Sequence, residues 1–260
     1  MKGTRKEALG LYYFPKVKSF HTVVRLKDVP GALSSVLELL RDHVNLVNGT
    51  SYSLGDGSAI WSGFGKSLSK SETEGRLKKL IERSAFVLEC EVKGSDHGLL
   101  IDSFHSGIEV VPDRPGVVFS VAEVTQIYDR LAQTFGSGGG TILFEEGSAL
   151  GKSSGQYLNA LLGQSPLDWK IQVQLAIYRT YGWGSASLEV EKPSTRFRVT
   201  VRDDFECAGM GKDRKGCSFL RGHLTSTIST LSGREFEGEE TKCRLRGDPS
   251  CEFILTRKET

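Results

Sequence analysis

From Ser19 the chain alternates, with Phe20, Thr22, Val24 and Leu26 on one face and His21, Val23, Arg25 and Lys27 on the other, which predicts a half-buried strand. Asp28-Val29-Pro30-Gly31 then closes the strand. Leu33, Leu37 and Leu40, with Ala32, Val36 and Leu39, recur at helical spacing and predict a helix running to about Asp42. Two further stretches, Asn45 to Leu54 and Ser58 to Gly65, flank Gly55-Asp56-Gly57, which reads as a hairpin turn because glycine tolerates positive φ. Ser71 to Arg83, with Leu77, Leu80 and Ile81 inward, reads as a second helix, and Ala85 to Val92 as a last strand. The order strand, helix, strand, strand, helix, strand is the ferredoxin-like βαββαβ arrangement.

Lys93 to Gly98 interrupts this periodicity with two glycines and small polar residues, and is the expected hinge. Beyond it, Val121, Val124, Ile127, Tyr128 and Leu131 predict a helix from Ser120 to Phe135. Ser137-Gly138-Gly139-Gly140 should then break the chain before Thr141 to Phe144. Gly147, Gly151 and Gly155 fall at every fourth position, one face of a helix, where small residues admit another helix at close range. Within that stretch GSALGKSS approaches a phosphate-binding loop, but the required glycine is Glu146, whose carboxylate opposes phosphate. Asp168 to Tyr181 predicts a strongly apolar helix, followed by strands Ser185 to Glu191 and Arg196 to Arg202, a helix from Gly216 to Leu231, and a closing hairpin, Arg234 to Leu245 and Cys251 to Thr256. The whole is α+β, with a mixed α/β second domain.

Composition changes this picture only at the margins. Lys+Arg 34 against Asp+Glu 32 in 260 residues leaves a formal charge of +2, which speaks against direct nucleic-acid binding by bulk electrostatics. Residues 1–18 form a basic leader with no apolar run long enough for a signal peptide, and nothing approaches a membrane span, so a cytoplasmic location is expected. The cysteines alter more. An odd total of 5 argues against a disulfide framework, and four of them fall from Cys207 onward. Cys217, Glu240, Cys243 and Cys251 read C-x(22)-E-x(2)-C-x(7)-C, three thiolates and a carboxylate of the kind tetrahedral Zn2+ accepts in a closed structural site. Cys90 and Cys207 are left as core thiols.

Residues 19–94, with D-x-P-G-x-L at the junction of first strand and first helix, resemble an ACT domain. The resemblance implies side-by-side pairing of two copies, and a small ligand at Asp28, Pro30, Gly31 and Ala32, where a tight turn opening a helix is the alternative reading. Tyr181-Gly182-Trp183-Gly184, the stretch Cys217 to Leu224, Glu240-Thr241-Lys242-Cys243 and the stretch Gly247 to Phe253 resemble the 4-vinyl reductase domain, over residues 98–260. That domain is the sensory module of aromatic-responsive transcription activators and is related in fold to TRAPP Bet3-like subunits. The resemblance implies zinc on Cys217, Glu240, Cys243 and Cys251, with Glu239 the competing neighbour. It also implies an apolar pocket for a hydrophobic or aromatic molecule, among Trp169, Tyr178, Tyr181, Trp183, Phe197, Phe205, Phe219 and His223. A non-enzymatic, homodimeric ligand sensor whose output passes through another protein follows. A tetrapyrrole vinyl reductase and a TRAPP-like tethering scaffold are the alternatives, the former without a G-x-G-x-x-G after any strand.

Overall fold

The computed structural model of the chain describes residues 10–111, 114–208 and 216–259, so half of the expected leader, residues 1–9, lies outside the described residues. Two compact units divide between Val117 and Val118. The first begins with β1 (Leu11–Tyr13) and β2 (Ser19–Lys27), followed by α1 (Ala32–Leu40), β3 (Val44–Ser53), β4 (Ser58–Ser67), α2 (Glu74–Ile81) and β5 (Val87–Ser95). Short strands β6 (Leu99–Ile101), β7 (Ile108–Val111) and β8 (Arg114–Gly116) complete it. The main sheet has the order β3-β4-β2-β5, with every pair antiparallel, which is the ferredoxin-like topology the alternation predicts.

The reason lies in the two faces of β2. Phe20, Val24 and Leu26 are buried against Val36 and Leu40 of α1 and Leu77 and Ile81 of α2. Cys90 belongs to this core, where burial pushes its thiol up to about 12, so it is an inert apolar filler. On the opposite face His21 stacks on Phe64 with ring centroids 3.9 Å apart. The antiparallel β1–β6 ribbon brings Tyr12 and Leu100 to Phe64 there. Lys93 to Ser95, expected in a hinge, instead extends β5 and pairs with β2. Ladder hydrogen bonds outweigh the local preference of Gly94 for irregular backbone.

The second unit contains α3 (Val121–Phe135), α4 (Ser137–Leu162), α5 (Leu167–Tyr181), β9 (Ser185–Lys192), β10 (Arg196–Arg202), α6 (Ser218–Ser232), β11 (Phe236–Lys242) and β12 (Cys251–Arg257). Its antiparallel sheet runs β11-β12-β10-β9. Phe197, Val199 and Val201 of β10 and Phe253 and Leu255 of β12 face Leu158 of α4, Ile171 and Leu175 of α5, and Leu220, Leu224 and Ile228 of α6 in one core. The expected break at Gly138 to Gly140 does not occur; only Gly136, at φ 55, interrupts the helices, and α4 runs unbroken through the glycines. Packing overrides propensity here. A Cβ on Gly139 would stand 2.8 Å from the Leu131 carbonyl oxygen of α3, so the bare backbone is what lets α4 fold back on α3.

The same logic, carried further, joins α4 to α6. A Cβ on Gly147 would meet the Phe219 carbonyl oxygen at 2.0 Å, and one on Gly151 the His223 carbonyl oxygen at 2.4 Å. Reciprocally, a Cβ on Gly222 of α6 would meet the Phe144 carbonyl oxygen at 2.1 Å. The two helices therefore touch backbone to backbone, as the four-residue glycine spacing predicts.

Candidate metal centre and aromatic cluster

After β10 the chain turns at Asp203, whose φ is 53, and Asp204 caps a short 3-10 turn, Phe205–Cys207, by accepting from the Glu206 N–H at 2.9 Å. Three consecutive side chains of this turn go to three destinations. Phe205 enters an aromatic cluster. Glu206, fully buried, accepts from the Phe219 N–H at 3.1 Å and the Leu220 N–H at 3.0 Å, satisfying the first turn of α6 from outside the helix. Cys207 points to three other thiols.

The four sulfurs of Cys207, Cys217, Cys243 and Cys251 lie within 4.8 Å of one another and are all buried. Cys207 Sγ is 3.1 Å from Cys217, 3.8 Å from Cys243 and 3.4 Å from Cys251, while Cys217 is 3.7 Å from Cys243 and 3.6 Å from Cys251. A tetrahedron with metal–sulfur bonds of about 2.3 Å has edges of about 3.8 Å, so the donor set and its spacing fit a four-coordinate thiophilic ion. None of the cysteines is in a disulfide. Hydrogen bonds from Cys207, then Cys217 and Cys251, drive the Cys243 thiol far below its ordinary range. Contact with Cys207 pushes Cys217 and Cys251 above theirs.

The closing hairpin is built to present two of these sulfurs. Gly247, at φ 95, supplies the left-handed residue of the turn, the Asp248 N–H donates to the Cys243 carbonyl at 3.2 Å, and Asp248 Oδ2 accepts from the Cys243 N–H at 2.8 Å. The Arg244 N–H donates to Cys251 Sγ at 3.5 Å, an outer contact that orients the sulfur.

The fourth sulfur is where the structure departs from the sequence pattern, which offers Glu240 and leaves Cys207 in the core. Glu240 Oε1 accepts from the Cys217 N–H at 3.0 Å and Oε2 from Arg246 at 3.0 Å, so both oxygens are engaged beside the cluster. Burial, with the Cys243 charge adding to it, raises this carboxyl to about 7. Glu239 is exposed on β11. E-x-x-C spacing selects the nearest carboxylate, whereas only the fold of the Phe205–Cys207 turn reveals Cys207.

The proposed ligand residues separate into two groups. Trp183 stands at the centre of one, with ring centroids 5.2 Å from Tyr178, 6.3 Å from Tyr181, 5.6 Å from Phe205, 5.5 Å from Phe219 and 5.0 Å from His223. Tyr128 of α3 joins them at 5.8 Å from Phe219, an aromatic the sequence pattern placed only as a helix-face residue. Trp169 does not belong, being 52% exposed, and Phe197 packs on Phe236 in the main core. His223 is committed as well. Burial lowers it to about 3, so the ring is neutral; Nδ1 accepts from Tyr178 Oη at 2.6 Å, and Nε2 pairs with Ser154 Oγ at 3.3 Å. Burial also holds the Tyr178 hydroxyl well above its ordinary range, which makes it the donor in that bond.

In the first unit, Gly31 adopts φ 88 at the start of α1, and no side chain caps that helix end. Asp28, Pro30 and Gly31 are exposed and Ala32 is buried. Asp28 accepts from Ser53 Oγ at 2.6 Å, and its N–H donates to the Gly57 carbonyl at 2.9 Å, tying the junction to the β3–β4 turn. Among the described residues no helix is long and apolar enough to cross a membrane.

Residues 197–257, inside the second unit, match the model of the 4-vinyl reductase domain family. A search of curated proteins returns no match. Among solved structures the chain resembles the phenol-responsive sensory domain of the transcription activator PoxR, crystallised with phenol, with a TM-score of 0.51 and 13% identity over 56% of this chain and 79% of that one. Two others are more distant. A trafficking protein particle complex subunit 3 from Naegleria fowleri, covalently bound to palmitic acid, has a TM-score of 0.40 at 13% identity over 54% and 95% of the chains. A vinyl-4-reductase family protein from Methanocaldococcus jannaschii has a TM-score of 0.32 at 11% identity over 55% and 100%. Residues 197–257 are thus similar to the 4-vinyl reductase domain family, and the chain has an α+β fold shared with the PoxR sensory domain.

Proposed function

We propose that the chain is a ligand-responsive regulatory protein of the cytoplasm, acting as a homodimer and passing its output to another protein. The observation that carries this reading is the 4-vinyl reductase domain match at residues 197–257 together with the fold shared with a sensory domain. In it, the second unit binds a hydrophobic or aromatic small molecule and zinc holds its closing hairpin to α6. Cys207, Cys217, Cys243 and Cys251 are the residues that hold the zinc; when bound, the ion cross-links segments that are distant in sequence and so contributes folding free energy. The first unit, over residues 19–94, serves as an ACT-like module that takes a small metabolite at Asp28, Pro30, Gly31 and Ala32 or pairs two copies. A ligand that prefers one conformation shifts the population toward it, with no catalytic group required.

Native mass spectrometry of the full chain tests the reading, because one spectrum reports metal, co-purified small molecule and subunit number. Bound zinc with an organic adduct on a dimer is expected. A zinc-free, ligand-free monomer from a metal-replete preparation refutes it.

A further inference from the structure

The aromatic cluster is closed by its own side chains. Trp183 is surrounded at ring-centroid distances of 5.0 to 6.3 Å, and the imidazole among its neighbours, His223, has both nitrogens taken by Tyr178 and Ser154. Tyr178 is itself a phenol, seated on the histidine. Among the described residues of this unit, a cavity of about 880 Å³ is bounded by the end of α3, the glycine-rich start of α4, the first turns of α6, and β11. Gly136, Gly140, Gly216 and Gly238 line it without side chains, and Ala132 and Leu143 give it an apolar wall.

One cation in that cavity is uncommitted. Arg221, half-buried on α6, lays its guanidinium on the Phe144 ring at 4.8 Å and meets no carboxylate among the described residues. Two carboxylates also line the cavity at its β11 side: Glu240 pairs with Arg246 at 3.0 Å, and Glu239 is exposed to solvent. The hydroxyl-bearing residues Ser137 and Ser218 line the same space. A planar guanidinium stacked on an aromatic face is held flat, with its N–H edge free for a bidentate acceptor, and Arg matches a carboxylate in that way.

We infer that this cavity is a binding site for a small organic carboxylate, its head group on Arg221 and its apolar body against Ala132 and Leu143. The inference rests on reading the second unit as a ligand-binding domain, and it moves the site away from the aromatic cluster. A neutral phenol can accept at most a single uncharged hydrogen bond from Arg221, whereas a carboxylate takes a charge-assisted bidentate pair, so the site selects acids over phenols of the same ring.

Isothermal titration of the full chain with benzoate, and with phenol as the uncharged counterpart, decides it. Benzoate should bind at least about tenfold more tightly than phenol, and Arg221→Gln should weaken benzoate by about tenfold or more while Arg221→Lys retains part of the affinity. Tyr178→Phe should leave benzoate binding unchanged. The inference fails if Arg221→Gln, with an unaltered melting temperature, binds benzoate like the parent, or if benzoate gives no heat. Phenol binding that depends on Tyr178, with benzoate silent, would overturn the carboxylate site and keep the sensor reading. Silence toward both probes, with no organic adduct in the native mass spectrum, would remove both.

Discussion

Replacing Gly151 by alanine tests the α4–α6 contact through the sign of its effect. On an exposed helix the change stabilises, by up to about 1 kcal/mol, because alanine restricts the unfolded chain and favours helix. Here the new Cβ would stand 2.4 Å from the His223 carbonyl oxygen and 3.0 Å from its Cα, atoms of a helix backbone that cannot rotate away. The helices must separate by roughly 1 Å, forfeiting dispersion contacts along their length, and overpacking of this kind costs about 1–3 kcal/mol or more. The net effect is a destabilisation of about 1–2 kcal/mol, a fall of roughly 3–8 °C in the melting temperature of the second unit by scanning calorimetry. Gly138→Ala is the internal control. Its Cβ would meet nothing closer than Phe135 Cβ at 3.8 Å, so its melting temperature should hold or rise. A Gly151→Ala protein as stable as the parent would mean that the helices do not touch at this register.

The donor set predicts that Cys207→Ser lowers the thiolate-to-metal charge-transfer absorbance of the cobalt-loaded protein by about a quarter, whereas Glu240→Gln leaves it unchanged; the reverse pattern would return Glu240 to the metal. Burial holds His21 down at about 4 and His223 at about 3, so each binds fewer protons native than unfolded below about pH 6.5, while Glu240, raised to about 7, binds more and offsets part of that difference. Stability should therefore fall as pH drops from about 6.5 toward 4, by up to about 3 kcal/mol from His21 alone, and equal urea midpoints at about pH 7.5 and about pH 5 would contradict this. Glu206→Gln turns an amide N–H toward one of the two backbone N–H groups that the carboxylate now accepts, at a cost of about 1–3 kcal/mol. Hydrogen exchange should accelerate at the Phe219 and Leu220 amides, and unchanged protection would refute the cap.

What the sequence pattern shows and what it hides follow from the range of the forces involved. Alternation in β2 and the four-residue glycine spacing of α4 are local signals, and each reports the face that packs. Gly138 to Gly140 misleads because propensity is worth about 1 kcal/mol per residue and the return of α4 onto α3 outweighs it. Lys93 to Ser95 misleads in the same way, since the partner strand β2 lies about 70 residues earlier in the chain. Three of the four cysteines are legible because hairpin spacing and a helix start mark them. Cys207 is not, because its place depends on the left-handed turn at Asp203 and on the Asp204 cap, neither of which spacing encodes.

That turn also explains why the four-cysteine cluster and the aromatic cluster belong to one device. Phe205, Glu206 and Cys207 are consecutive, so a single backbone segment carries an aromatic contact with Trp183, the cap of α6 and a sulfur of the cluster. Cys217 lies at the N-cap of the same helix that Glu206 satisfies, and one turn later Arg221 faces the cavity. A displacement of Phe205 large enough to open the aromatic cluster would withdraw the Glu206 carboxylate from two buried N–H groups and stretch the Cys207 sulfur from its partners. The cost of those losses, several kcal/mol together, keeps the cluster shut while the four sulfurs are held. A metal on the four sulfurs would reinforce one of these three tethers, and thermodynamic reciprocity would then require that any ligand which does enter among the aromatics weakens the hold on that metal by the same factor that the metal weakens the ligand.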